Sequence, residues 1–352
     1  MDINELKRYI ISEEADISNA MQRIDSNSGG VLFIVDAREV LIGCITDGDI
    51  RRYLLSGGGI SDRAMNAANT SPNVARSREE AIGLYKAGEL ISIPILDESG
   101  IVRDIYIGTE KRATKYSSID IPIVINAGGK GTRLFPYTKV LPKPLIPVGD
   151  YPIIEHIIRE FKKYNCNRIH IIVNYKKQLV KAYFAEGDKT YNICWYDEDS
   201  PLGTGGGLRL LKDRIFETFF FTNCDNLLKA DYNDIVRFHR ENGNLVTMIC
   251  VYKTFSVPYG VIQMGECGEI KSMKEKPSFN FLANTGIYVV EPEVIDYIND
   301  DENIGFPDII KRVRDAGKKV AAYPVRESEW MDMGQLEELE IMQEKLSDMR
   351  KE

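Results

Sequence analysis

One stretch constrains this chain more than any other. Residues 121–125 form a short apolar run rich in β-branched side chains, the pattern of a buried strand, and the chain then breaks into Ala127, Gly128, Gly129, Lys130, Gly131, Thr132 and Arg133. A strand that runs straight into three glycines within four residues can take positive φ and turn successive backbone N–H groups toward an anion. Lys130, Arg133 and Lys143 add positive charge beside it, and prolines at 136, 142, 144 and 147 predict a stiff extended loop that holds Lys143 in place. The segment reads as a phosphate cradle.

Two commoner glycine motifs do not fit. A P-loop needs a glycine, four intervening residues and then Gly-Lys-Ser/Thr, and the dinucleotide fingerprint needs a third glycine where Leu134 stands. The order Gly128-Gly129-Lys130-Gly131-Thr132-Arg133-Leu134 followed by Pro142-Lys143-Pro144 instead resembles the signature of sugar-1-phosphate nucleotidyltransferases.

Composition narrows the alternatives. At 352 residues the chain is long enough for two or three compact units, and no apolar run approaches a membrane span. The amino terminus lacks the apolar core of a signal peptide, so a cytoplasmic location is expected. A net charge of −8 argues against nucleic acid as a partner, whereas a small phosphorylated substrate needs only a few cations in one cleft. Six scattered cysteines without a Cys-x-x-Cys pair read as reduced core residues, and three histidines without Gly-x-Ser-x-Gly give little support to a hydrolase triad.

The first third of the chain repeats itself. Residues 31–52 and 92–112 share one plan of strand, turn and strand, each preceded by helical spacing: Ile17, Met21 and Ile24 in one copy, Ala81, Ile82 and Tyr85 in the other. The pair resembles a tandem cystathionine-β-synthase (CBS) module of βαβ type, marked by Gly43, Thr46, Asp49, Ile50 and Arg52. The resemblance implies that Thr46 and Asp49 contact the ribose of an adenine-nucleotide effector, and that the protein is a homo-oligomer. The aligned positions of the second copy are Tyr106 and Thr109, so its site has lost both groups. Capping of the following helix is the alternative use of Thr46 and Asp49. The expected organisation is a tandem module over 1–115, with repeats 1–60 and 61–115, a linker at 116–120, and a catalytic domain over 121–352.

In that domain a helix starts after Asp150-Tyr151-Pro152 with Ile153, Ile154, Ile157, Ile158 and Phe161 on one face, and strands alternate with helices up to about residue 200. Such alternation predicts a mixed, mainly parallel sheet in a Rossmann-like α/β domain. The strand 219–224 ends on Asp225, which should share the ligand-binding edge with the glycine loop. The resemblance makes Asp225, and Asp332 of Trp330-x-Asp332-x-Gly334, ligands of Mg²⁺. Glycines 203, 205, 206 and 207 suggest close approach of backbone to a ligand, and Gly203 with Thr204 resembles a nucleotide-contacting Leu-Gly-Thr-Ala-Gly element in which Gly205 replaces alanine. The resemblance further assigns Gly260, Glu275, Lys276, Asn284 and Thr285 to the sugar phosphate.

The implied reaction is attack of a sugar-1-phosphate on the α-phosphorus of a nucleoside triphosphate, with Arg133 and Lys143 holding the triphosphate and pyrophosphate leaving. A phosphate with a second pKa of ~6 needs no base. Glu198 and Asp199, just before the second glycine cluster, can accept hydrogen bonds from guanine N1–H and its amino group, with solvated acidic residues as the alternative. The layout of a CBS pair ahead of this domain is similar to glucosamine-1-phosphate guanylyltransferases of legionaminic acid synthesis. A mannose-1-phosphate guanylyltransferase, a glucose-1-phosphate uridylyl- or thymidylyltransferase, and a nucleotide-sensing regulatory protein that only binds are the alternatives.

Overall fold

The computed structural model describes residues 2–27, 30–87, 92–108, 116–186 and 191–348. Thr109, and the boundary expected at residue 115, lie outside them. The chain forms two compact units: Met1–Thr114 with Tyr252–Leu282, and Lys115–Val251 with Ala283–Glu352. Residues 252–282, which the sequence places in the 121–352 domain, group with the amino-terminal residues.

In the first unit, Ile10–Ser12 runs parallel to Val31–Val35, which pairs antiparallel with Leu41–Thr46. Alternation along Val31–Val35 divides the core. Leu32 and Ile34 pack with Ile17, Ala20 and Ile24 of helix Ile17–Ser26, whereas Val31 and Phe33 meet Val102 and Ile105 of the second copy. That copy contributes helix Arg78–Ala87 and the antiparallel strands Ser92–Leu96 and Val102–Ile107, with Ala81 and Tyr85 buried against Ile93 and Ile95. Helix Asp47–Leu55 completes the first copy. Strands Val261–Met264 and Ile270–Lys274 form a separate antiparallel hairpin, turned at Cys267 and Gly268, both with positive φ.

The second unit is built on a seven-stranded sheet in the order Asn192–Asp197, Arg168–Val173, Ile123–Asn126, Phe219–Asn223, Ser278–Val290, Val246–Ser256, Val320–Val325. The first four strands are parallel, Ser278–Val290 is antiparallel to Phe219–Asn223, and Val246–Ser256 is parallel to Val320–Val325. The sheet is therefore mixed and mainly parallel, as the alternation predicts. Helix Ile153–Lys162 buries all five of its predicted apolar positions, since 3.6-residue spacing puts them on one stripe. Its cap is Pro152; Asp150 instead lies in the turn between the short strands Pro147–Val148 and Tyr151–Pro152. Register places Asn126 opposite Asn223, so the glycine loop and Asp225 leave the sheet at the same edge. Among the described residues no helix is long and apolar enough to cross a membrane.

Candidate active site

At that edge lies a cavity of about 360 Å³. Gly129, Gly131, Thr132, Arg133, Lys143, Thr204 and Asp225, all singled out in the sequence, line it. Asn126, Asn223 and Cys224 line it as well, and the sequence reading gave none of the three a binding role. Their place at the carboxyl ends of adjacent parallel strands was the available signal.

The glycines do different work. Gly131 takes φ 63°, and a Cβ on it would lie 2.9 Å from Thr138 Cγ2 and 3.1 Å from Lys143 Cβ, so this turn brings the backbone hard against the lysine segment. A Cβ on Gly129 would meet nothing within 4 Å, which leaves that stretch of backbone open on the cavity side. Ala127 is not a free donor: its N–H is bonded to Ile172 O at 2.8 Å and continues the sheet. The proline-rich segment is not extended throughout. Tyr137–Val140 is a single helical turn and Lys143–Leu145 a 3₁₀ turn with Pro144 buried, because proline at an early helical position is compatible with its fixed φ.

Lys143 donates a hydrogen bond to Asp225 in a largely buried ion pair. Burial works against the ammonium, yet the charge of Asp225 and, further off, of Asp332 outweighs it and raises the lysine pKa. Asp332 lies in strand Trp330–Asp332, paired opposite Asn226, and Met333 N–H donates to Asp225 O at 3.0 Å. The turn that carries Asp225 is thereby held beside the strand that carries Asp332. Burial, then repulsion from Asp225 and Glu338, pushes the Asp332 carboxyl up to about 7. Glu338 was not foreseen; its Oε2 is buried without a hydrogen-bond partner.

Glu198 is not a solvated acid. It is 5% exposed and its Oε1 has no hydrogen-bond partner. Its carboxylate is wedged between the two glycine clusters: a Cβ on Gly128 would sit 2.8 Å from Oε2, and one on Gly207 would sit 2.5 Å from Oε1. Burial pushes this carboxyl up to about 7. The second cluster otherwise packs against protein. Cβ atoms on Gly203 and Gly206 would meet the carbonyls of Ile304 at 2.6 Å and Glu302 at 2.1 Å, and one on Gly205 would meet Ile309 Cδ1 at 2.4 Å. The close backbone approach inferred from these glycines is therefore to residues 302–309. Thr204 lines the cavity while its Oγ1 accepts from Phe306 N–H at 3.1 Å, and Asn126 Nδ2 ties the cluster to the first loop by donating to Thr204 O at 3.2 Å.

The expected sugar-phosphate residues fall into two groups. Gly260, Glu275 and Lys276 are exposed in the first unit, where a Cβ on Gly260 would sit 2.9 Å from Glu275 Oε2 and Lys276 takes φ 43°. Asn284 and Thr285 belong to the second unit. Asn284 is exposed and bonds Tyr288 OH at 2.6 Å and Gly286 N–H at 2.9 Å. Thr285 is 1% exposed and its hydroxyl donates to Ile249 O at 2.8 Å, so its side chain is a packing element rather than a ligand contact. In the amino-terminal repeat, Thr46 and Asp49 form a reciprocal capping box for helix Asp47–Leu55, with Thr46 N–H donating to Asp49 Oδ2 at 2.9 Å and Asp49 N–H to Thr46 Oγ1 at 3.2 Å. The capping use of this pair is thus present in the structure.

Comparison with known proteins fixes the class. The family model for nucleotidyl transferases matches residues 122–348. The chain belongs to that family. A CBS domain model matches residues 5–56. Among relatives of the chain, a UTP–glucose-1-phosphate uridylyltransferase of Synechocystis is 31% identical over 237 residues, covering 60% of each chain. The mannose-1-phosphate guanyltransferase of Saccharomyces cerevisiae is 31% identical over 226 residues, covering 60% of this chain and 61% of its own. The chain thus spans about three fifths of the length of the curated relatives it matches. Of solved structures, HddC from Yersinia pseudotuberculosis shares the fold, with a TM-score of 0.52 and 21% identity over 64% of this chain and 99% of that one. The relatives are sugar-1-phosphate nucleotidyltransferases that differ in base and sugar.

Proposed function

We propose that this nucleotidyltransferase transfers a guanylyl group from GTP to glucosamine-1-phosphate, releasing pyrophosphate and forming a nucleotide sugar for nonulosonic acid synthesis. The observation that carries the guanine reading is Glu198. A buried carboxylate wedged between the two glycine clusters, with Oε1 unpartnered, carries two acceptor oxygens side by side, although Glu198 is not itself among the residues that line the cavity. Guanine presents two adjacent donors, N1–H and the 2-amino group, whereas uracil presents one donor flanked by carbonyls that a carboxylate would repel.

The chain's residues then divide the work. Backbone at Gly129 and Gly131, together with Arg133 and Lys143, binds the triphosphate and spreads its charge. Lys276 and Glu275 hold the acceptor, and a sugar phosphate oxygen attacks the α-phosphorus as the bond to pyrophosphate breaks. No proton need move, because a phosphate monoester with second pKa of ~6 is mostly dianionic at neutral pH. Burial first, and then repulsion from Asp225 and Glu338, pushes Asp332 up to about 7, an environment that a divalent cation relieves, and hard carboxylate oxygens suit Mg²⁺. These two residues would hold the ion, which when bound neutralises phosphate oxygens. Among the described residues no group of three His, Cys, Asp or Glu side chains is placed to hold a metal, and Mg²⁺ needs only one or two carboxylates beside phosphate and water.

Pyrophosphate release over a grid of five nucleoside triphosphates and four sugar-1-phosphates tests this. GTP with glucosamine-1-phosphate should give the strongest rate, and Glu198→Gln, which places an amide donor beside an acceptor, should move preference toward UTP. A UTP-specific wild-type enzyme would overturn the guanine reading. The uridylyltransferase and mannose-1-phosphate relatives make UTP with glucose-1-phosphate and GTP with mannose-1-phosphate the second readings.

A further inference from the structure

The hairpin that follows Gly260 and ends at Glu275 and Lys276 has no core of its own. Every residue of Val261–Met264 and Ile270–Lys274 is exposed, and an isolated two-stranded hairpin is marginal in water. What orders it lies at its base. Ser18 and Tyr252, 5% and 4% exposed, share a hydroxyl–hydroxyl hydrogen bond. Asn280 Nδ2 donates to Ser18 Oγ at 2.7 Å, Thr254 Oγ1 to Asn280 Oδ1 at 2.9 Å, and Gln22 Nε2 to Thr254 Oγ1 at 2.8 Å. These five side chains join both strands leading into the hairpin to one face of helix Ile17–Ser26, where Ser18 and Gln22 lie one turn apart. A polar network whose members are mutually partnered specifies one arrangement.

The same helix is anchored on its other side. Ile17, Ala20 and Ile24 pack in the core that holds Ile50 of the helix capped by Thr46 and Asp49, and Ser18 N–H donates to Ile60 O at 3.0 Å. Beyond this network, Val257 N–H donates to Pro277 O at 3.0 Å and closes the hairpin next to Lys276. A continuous series of contacts therefore runs from the amino-terminal repeat to the residues read as sugar-phosphate ligands.

We propose that helix Ile17–Ser26 is the positioning element of the sugar-phosphate hairpin, with Ser18 and Gln22 setting acceptor affinity without touching the acceptor. This rests on the reading of Glu275 and Lys276 given above. The inference makes the amino-terminal module part of the acceptor site's support, and gives any ligand of that module a route to acceptor binding.

The test uses the full chain and the Ser18→Ala, Gln22→Ala double variant, with Gln22→Ala alone as the milder form should the double variant lose its native circular dichroism. Amide hydrogen exchange over 254–282 should quicken about tenfold or more on loss of these bonds, while strands Ile123–Asn126 and Phe219–Asn223 stay protected. In pyrophosphate release, KM for the sugar phosphate should rise about fivefold to tenfold with KM for the nucleotide and kcat within about twofold. Unchanged exchange in the hairpin, or faster exchange with an unchanged acceptor KM, would overturn the proposal. A wild-type chain inactive with every acceptor would instead overturn the functional reading, and the exchange data would still decide whether the helix orders the hairpin.

Discussion

Lys143 and Asp225 are paired in the lining of the cavity, each about 15% exposed, although 82 residues separate them in the chain. The pair brings the lysine of the proline-rich segment onto the acid at the end of a central strand. Asp225→Ala removes that anchor and one of two carboxylates, while Asn226–Leu228 keeps its pairing with Trp330–Asp332. The variant should keep its circular dichroism spectrum and lose roughly 10²–10³-fold in kcat, in line with removal of one preorganised electrostatic contact. Turnover within about threefold of wild type would remove Asp225 from the proposed machinery.

Gly205→Ala restores the residue usual in the resembling family, and should nonetheless destabilise this protein. The new Cβ would lie 2.4 Å from Ile309 Cδ1 and 2.9 Å from Phe306 N, the latter being backbone that cannot swing aside. Overpacking of this kind costs ~1–3 kcal/mol, readable as a lower urea midpoint at unchanged m-value. An unchanged midpoint would show that residues 302–309 yield without cost.

How far the sequence spoke depended on how local each feature was. The glycine loop was legible because its strand, turn and cations lie within a few residues, and Asp225 because it ends a strand of unmistakable pattern. Glu198 was ambiguous: its burial comes from Gly128 and Gly207, and only their meeting in space separates a wedged carboxylate from a solvated one. The second glycine cluster was recognised as a close approach, but its partner lies a hundred residues later, beyond the reach of any local pattern. Thr285 is assigned from its neighbours in a motif, and it lies where strand Ser278–Val290 enters its continuously buried half. The grouping of residues 252–282 with the amino-terminal repeat depends on scattered polar side chains that carry no periodic signal.

In the amino-terminal repeat, Thr46→Val removes the side-chain half of a capping box and should cost ~1 kcal/mol without any ligand. If the same hydroxyl also contacts an adenine nucleotide, ATP should raise the unfolding temperature of the wild type and fail to raise that of the variant. An equal rise in both would assign Thr46 to capping alone.

Glu198 also makes a pH prediction with a fixed sign. Burial raises its folded pKa to about 7 from the ordinary value of 4.5, so its protonated form is favoured in the native state. That contribution to stability is fully present below the unfolded value, and falls away as pH rises through about 7. Replacing Glu198 by Gln should therefore stabilise the free protein at pH 8 by up to about 3 kcal/mol and leave it almost unchanged at pH 4. Binding runs the other way. Only the ionised carboxylate accepts both guanine donors, so GTP affinity measured by calorimetry without divalent cation should strengthen between pH 6 and pH 8, beyond any change in Glu198→Gln. Parallel profiles for the two proteins would mean that Glu198 does not read the base.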